Sequence, residues 1–361
     1  MSIKRILTLP GQGQTLPQTY LSQLQKTKSS SDLNIPLLKE QFTSQLGRSF
    51  TNKLLQPDPY YSSGDFLDRT SILQPAVVGL TCQIVEQIRR RDEVSLINPD
   101  LIMGHSLGEL SALHYNELLD LEMALYLARK RGKFMEECVN IWGSEYKLKR
   151  NRAKFIINCG LMALIIPRTI ANPIELIQTE LDKSTEFQKA VFIANHNSPS
   201  QLVLSGKVEE LQKFTKSLQQ EYKIKSIPLK SQIPFHSPML EEAEERFLKV
   251  LESQGLFGSN VANQKLKYPI ISNLTGKIAT TSNEALSNFV QSFSRPVLFM
   301  ESLQGLKTDF PEDKFEFWSL GPNANVNQGL IKANFAGADR DMLSANEVFS
   351  GVEEFEELFK R

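Results

Sequence analysis

Gly104-His105-Ser106-Leu107-Gly108 constrains this chain more than any other stretch, because its Gly-Xaa-Ser-Xaa-Gly form predicts a sharp turn from a strand into a helix. The apolar run Leu101-Ile102-Met103, introduced by Asn98-Pro99-Asp100, supplies the strand. Glu109-Leu110-Ser111-Ala112-Leu113 supplies a helix without breakers. In such an elbow the glycines allow a tight turn and the Ser hydroxyl projects from it, with the helix N-terminus facing the substrate. Ser106 is thus the candidate nucleophile. An ordinary strand-to-helix turn would use the same residues without chemistry, so a base and an anion site must be sought elsewhere.

Only four histidines are available to act as that base. His105 neighbours the serine but points elsewhere on the turn, His114 falls on the following helix, and His196 lies in the Asn195-His196-Asn197-Ser198-Pro199 segment, read as a turn. His236 stands between Pro234 and Pro238 on a stiff loop before an amphipathic helix, and is the best placed for general-base work. Near the N-terminus, the strand Ile6-Leu9 runs into Pro10-Gly11-Gln12-Gly13. The glycines there let the Gln12 main chain approach a ligand and offer its N–H to an oxygen. Taken alone, the motif is first a simple Pro-Gly turn.

The rest of the pattern sets the architecture. Thr70 to Arg91 and Leu121 to Val139 read as helices, and Gly132 beside Arg131 marks close packing, since a helical glycine costs about 1 kcal/mol against alanine. Thr15 to Ser63 reads as loop-rich decoration. Ser144 to Lys154 reads as an exposed basic insertion able to attract phosphates or an acidic partner. From residue 159 to 229 the order is strand (160–166), helix (173–181), strands (191–195 and 201–205), helix (208–222) and strand (224–228). That βαββαβ order is ferredoxin-like. Strands at 268–272 and 315–320 alternate with helices. The expected fold is therefore α/β, a hydrolase-like, mainly parallel sheet with helices on both faces, plus an inserted ferredoxin-like subdomain. Residues 1–158 and 230–361 would form the large subdomain and 159–229 the small one.

Composition excludes several functions. The 41 basic and 41 acidic residues leave no basic excess for a nucleic-acid binder. Cys82, Cys138 and Cys159 are too scattered for a disulfide framework or a zinc site, so no metal is expected. No stretch is long and apolar enough for a membrane span, and a soluble protein is expected.

Five motifs in this order resemble malonyl-CoA:acyl carrier protein transacylases: Pro10-Gly11-Gln12-Gly13, Gln74-Pro75-Ala76, Gly104 to Glu109, Arg131-Gly132-Lys133-Phe134-Met135 and Pro234 to Met239. The likeness runs from residue 6 to about 332 and includes the inserted subdomain. It implies ping-pong transfer of malonyl from malonyl-CoA, through an ester on Ser106, to the phosphopantetheine thiol of acyl carrier protein, with His236 as base. Main-chain N–H groups of Gln12 and Leu107 would hold the oxyanion, and Arg131 would pair with the malonyl carboxylate. Gln74, His105, Asn195 and Asn197 would lie around the substrate, and the Leu298 carbonyl, after Pro296-Val297, would orient His236. The resemblance implies no permanently bound cofactor, with malonyl-CoA and CoA as substrate and product. It implies acyl carrier protein as partner; separately, a monomer is expected.

Gly321-Pro322-Asn323-Ala324-Asn325 departs from the family's shorter Gly-Pro-Gly turn. Lys-, Asn- and Ser-rich insertions suggest a eukaryotic, fungal source and hence the mitochondrial matrix; a bacterial source would mean the cytoplasm. The competing reading is a serine hydrolase or thioesterase of the α/β-hydrolase type, but His236 is followed by 125 residues and no His-Gly-Gly-Gly motif occurs. A carrier-binding module without catalysis would have no need of Ser106, His236 and Arg131 together.

Overall fold

The computed structural model describes residues 2–13, 35–47, 51, 69–90, 98–150, 158–258 and 261–349, and the side chains of 35–39, 46, 87–90 and 140–150 lie outside that description. Most of the 15–63 decoration and the basic side chains of 144–154 therefore fall outside the described residues.

Six strands form the larger sheet, in the order β10 (Leu343–Phe349), β9 (Lys314–Leu320), β1 (Ile3–Leu9), β2 (Leu101–Gly104), β7 (Lys265–Ile271) and β8 (Ile278–Thr281). Every pairing is parallel except β7 with β8. Leu7, Ile102, Ile270 and Trp318 enter one apolar core, while Ile6, Met103, Ile271 and Phe317 enter another. Neighbouring residues on these strands thus face opposite cores, as a sheet covered on both sides requires. The mainly parallel sheet matches expectation. β8 and β10 were not foreseen, since Leu343-Ser344-Ala345-Asn346-Glu347 carries too little apolar character to signal a strand.

The second sheet has the order β4 (Val191–Ser198), β5 (Gln201–Lys207), β3 (Cys159–Ile165) and β6 (Lys225–Leu229), paired antiparallel throughout. With α5 (Pro173–Asp182) and α6 (Val208–Tyr222) in between, the element order is the ferredoxin-like one expected. Met162, Leu164, Leu202 and Leu204 pack with Ile177, Leu181, Leu211 and Phe214 of those helices. The alternate residues Leu161, Ala163 and Val203 are left to line a cavity on the other side. Asn195 to Ser198, read from sequence as a turn, continue β4 instead. The chain reverses at Pro199-Ser200, and His196 N–H donates to the Val297 carbonyl, extending β4 towards the larger sheet.

Helices α1 (Ile35–Leu46), α2 (Thr70–Arg90), α3 (Gly108–Tyr115) and α4 (Leu121–Arg150) precede the small sheet. Pro75 inside α2 has no N–H for the Ser71 carbonyl one turn back. Arg129 Nη1 donates to that carbonyl instead, at 2.7 Å, and Glu136 Oε1 accepts the Ser71 N–H at 2.8 Å. Between those two residues of α4 stands Gly132, where a Cβ would lie 2.6 Å from Ser71 Cα and Thr70 O. The glycine is thus required by helix contact, as its position beside Arg131 suggested. Helix α4 runs on to Arg150, through part of the stretch read as an insertion. No helix among the described residues is long and apolar enough to cross a membrane.

Candidate active site

Parallel pairing brings the site together. Leu9 at the end of β1 is in register with Gly104 at the end of β2, so the Pro10–Gly13 loop and the Ser106 turn leave adjacent strands at the same sheet edge. His105 N–H donates to the Leu9 carbonyl at 2.9 Å. A Cβ on Gly11 would lie 2.8 Å from the His105 carbonyl oxygen, and one on Gly108 2.2 Å from that of Leu9. These glycines let the two loops touch. Ser106 itself has φ 51°, the left-handed conformation that a nucleophile elbow imposes on its serine.

Ser106 Oγ lies 2.8 Å from His236 Nε2, while His236 Nδ1 lies 2.6 Å from the carbonyl oxygen of Ser292. A carbonyl can only accept, so Nδ1 carries the proton, and Nε2 of the neutral ring is left as the acceptor facing Ser106. The expected carbonyl was that of Leu298. That group instead accepts from Ser302 N–H and Ser302 Oγ in the first turn of α9 (Phe299–Asp309) and is not available to the imidazole. Ser292 follows directly on α8 (Ser282–Gln291), whose end turns its carbonyl towards the loop that bears His236 and precedes α7 (Glu241–Ser253). His236 is only 4 % exposed, and burial, aided by the nearby Arg131 cation, lowers its pKa to about 3. The free base is the form present at neutral pH.

Arg131 is 1 % exposed, with Nε and Nη2 lacking hydrogen-bond partners. Its guanidinium lies over the Phe293 ring, 4.6 Å from the centroid. Burial pulls its pKa down to about 9, against the opposing pull of Glu109, and it remains a cation at pH 7. A buried cation with unused donors is costly unless an anion arrives. Glu109, also buried, is pushed up to about 8 by desolvation, which weakens it as a standing counter-ion for Arg131.

Ser106, His236 and Arg131 line a cavity of about 280 Å³ between the two sheets, together with Gln12, His105, Asn195 and Asn197. His105 does face this cavity, contrary to its expected direction, with Nε2 3.2 Å from Asn197 Oδ1. Gln74 does not line it. Fully buried behind it, Gln74 donates to Gln12 Oε1 at 3.2 Å, so its contact with the site passes through Gln12. Leu107 is buried too, and only its main chain is of use to the site.

A further site residue, besides Ser292, escaped the sequence. Asn273, just beyond β7, accepts the Ser106 N–H on Oδ1 at 2.7 Å and donates from Nδ2 to the Gly104 carbonyl, while its own N–H donates to Glu109 Oε1. The only hint was a polar residue closing an apolar strand.

No protein-family model matches the chain. A malonyl CoA-acyl carrier protein transacylase of Bacillus subtilis (strain 168) is 30 % identical over 259 residues, covering 72 % of this chain and 71 % of the relative. A transacylase of the same name from Staphylococcus aureus (strain COL) is 26 % identical over 313 residues, 85 % of this chain and 82 % of its own. Among solved structures, a type II PKS acyl-carrier protein in complex with its malonyl-transacylase aligns with TM-score 0.74 at 23 % identity, covering 99 % of each chain.

Proposed function

The chain belongs to the malonyl CoA-acyl carrier protein transacylase family, and from that premise we propose how its site moves the acyl group. It is an acyltransferase that carries malonyl from malonyl-CoA to acyl carrier protein for fatty acid synthesis. In the proposed route Ser106 Oγ attacks the thioester carbonyl and passes its proton to His236 Nε2. N–H groups of Gln12 and Leu107 take the oxyanion. The tetrahedral intermediate collapses with loss of the CoA thiolate, which receives the proton from His236, leaving malonyl as an ester on Ser106. The phosphopantetheine thiol of the carrier then gives its proton to His236, attacks the ester, and leaves as malonyl thioester while Ser106 is reprotonated. Arg131 pairs with the malonyl carboxylate through its planar fork.

The observation that carries this reading is the Ser106–His236 hydrogen bond sharing a cavity with a buried arginine whose Nε and Nη2 have no hydrogen-bond partner. An acyl group ending in a carboxylate supplies what Arg131 lacks. The hydrolase reading is not favoured: His236 faces a main-chain carbonyl where a hydrolase triad has an acid. The finer expectations of a monomer in the mitochondrial matrix belong to this proposal and are read by sedimentation and organelle fractionation. The activity is tested by incubating the protein with malonyl-CoA and a pantetheine-bearing carrier protein. Malonyl on the carrier is expected; free malonate without any demand for carrier would restore the hydrolase.

A further inference from the structure

Asn273 is fully buried, and three of its four polar groups meet the elbow and the first turn of the helix behind it. Its Oδ1 takes the Ser106 N–H, its Nδ2 serves the Gly104 carbonyl, and its main-chain N–H is held by Glu109 Oε1 from the first turn of α3. Its carbonyl accepts the Leu298 N–H at 2.8 Å, which anchors the residue to the start of α9. Three points of one short side chain and main chain thus fix a turn whose serine is held at φ 51°. Because the Ser106 N–H is spent on Asn273, the next N–H, that of Leu107, is the donor the elbow has left for an oxyanion.

We propose that Asn273, held by Glu109, is a positioning residue for acyl transfer, locking the Ser106 main chain in the turn that aims Oγ at His236. The proposal rests on Ser106 being the nucleophile. A carboxamide is needed because the two groups it meets have opposite demands, one N–H and one carbonyl. An ionised carboxylate would satisfy the first and repel the second. A protonated carboxyl would satisfy both.

The test is the rate of Ser106 acylation by malonyl-CoA, followed by quenched-flow mass measurement in wild type, Asn273→Ala and Asn273→Asp, with near-ultraviolet circular dichroism on each. Asn273→Ala is expected to lose about 100-fold in acylation rate, the cost of misplacing a reacting atom by about an ångström, while KM changes less than about twofold. For Asn273→Asp, the rate relative to wild type should rise at least about tenfold between pH 8 and pH 5.5, as the buried carboxyl takes up its proton. Glu109, which holds the Asn273 N–H, and Arg131, which acts on Glu109, are present in both proteins, as are His105 and His236 on either side of Ser106, so the ratio isolates residue 273. A folded Asn273→Ala variant with wild-type acylation, or a flat Asn273→Asp ratio, would overturn the proposal. So would loss of the fold in both variants, which would make Asn273 purely structural. Absence of acylation in wild type would instead count against the transacylase mechanism.

Discussion

His236 presents its Nδ1 to the main-chain carbonyl of Ser292, 2.6 Å away, and its Nε2 to Ser106. A main-chain acceptor fixes the tautomer without contributing a charge. It also makes the orientation independent of the Ser292 side chain, whose Oγ donates to the Phe289 carbonyl. Ser292→Ala should keep kcat/KM within about twofold while costing about 1 kcal/mol of stability for one buried hydrogen bond. Steady-state kinetics and urea unfolding read the two effects separately.

The neutral imidazole has a consequence for pH. His236 is held at about 3 in the folded protein against about 6.5 when unfolded. Between those values the unfolded chain binds the extra proton, so this contribution to stability is intact above about pH 6.5 and is lost as pH falls towards 3. Comparing unfolding free energies of wild type and His236→Gln from pH 7 to pH 4 should show wild type losing stability faster. The acylation rate of wild type should show no acid limb near pH 6.5.

Arg131 is expected to trade stability for selectivity. Arg131→Met removes a buried charge with unused donors and keeps contact with Phe293, so its melting temperature should rise. Malonyl-CoA kcat/KM should fall by about 100-fold, in line with about 1.5–3 kcal/mol per hydrogen bond to a charged group. Transfer of acetyl, which has no carboxylate, should survive. Equal losses for malonyl and acetyl would contradict the assignment.

Gly132 tests the helix contact behind Arg131. A Cβ there meets Ser71 Cα and Thr70 O at 2.6 Å, and backbone cannot step aside as a side chain can. Gly132→Ala should destabilise the protein by about 1–3 kcal/mol despite alanine's better helix propensity. Thermal unfolding gives the sign directly.

The sequence revealed the parts of the site that depend on short motifs and missed those made by the fold. Ser106, His236, Gln12 and Arg131 stand in local patterns whose glycines and prolines serve a visible purpose, and all four reach one cavity. The ferredoxin-like order was legible because β3, β4 and β5 carry short apolar runs and α6 an amphipathic pattern. Asn273 was not, because its role exists only through β7 pairing beside β2, and nothing in Ser272-Asn273-Leu274 announces that. The Ser292 carbonyl was missed for a related reason. Main-chain acceptors leave no trace in side-chain identity, and the loop after α8 had to be placed before Ser292 and Leu298 could be told apart. Gln74 was found by motif, yet its motif could not say that it would stand behind Gln12 and not against substrate.

The most direct measurement is the intact mass of the protein after brief exposure to malonyl-CoA, in wild type and Ser106→Ala, before and after adding a pantetheine-bearing carrier protein. One malonyl group on wild type alone, located on the Ser106 peptide and then passed to the carrier, is the result the mechanism predicts. Malonyl on the Ser106→Ala protein, or an adduct on wild type that goes to water while the carrier stays unmodified, would contradict it.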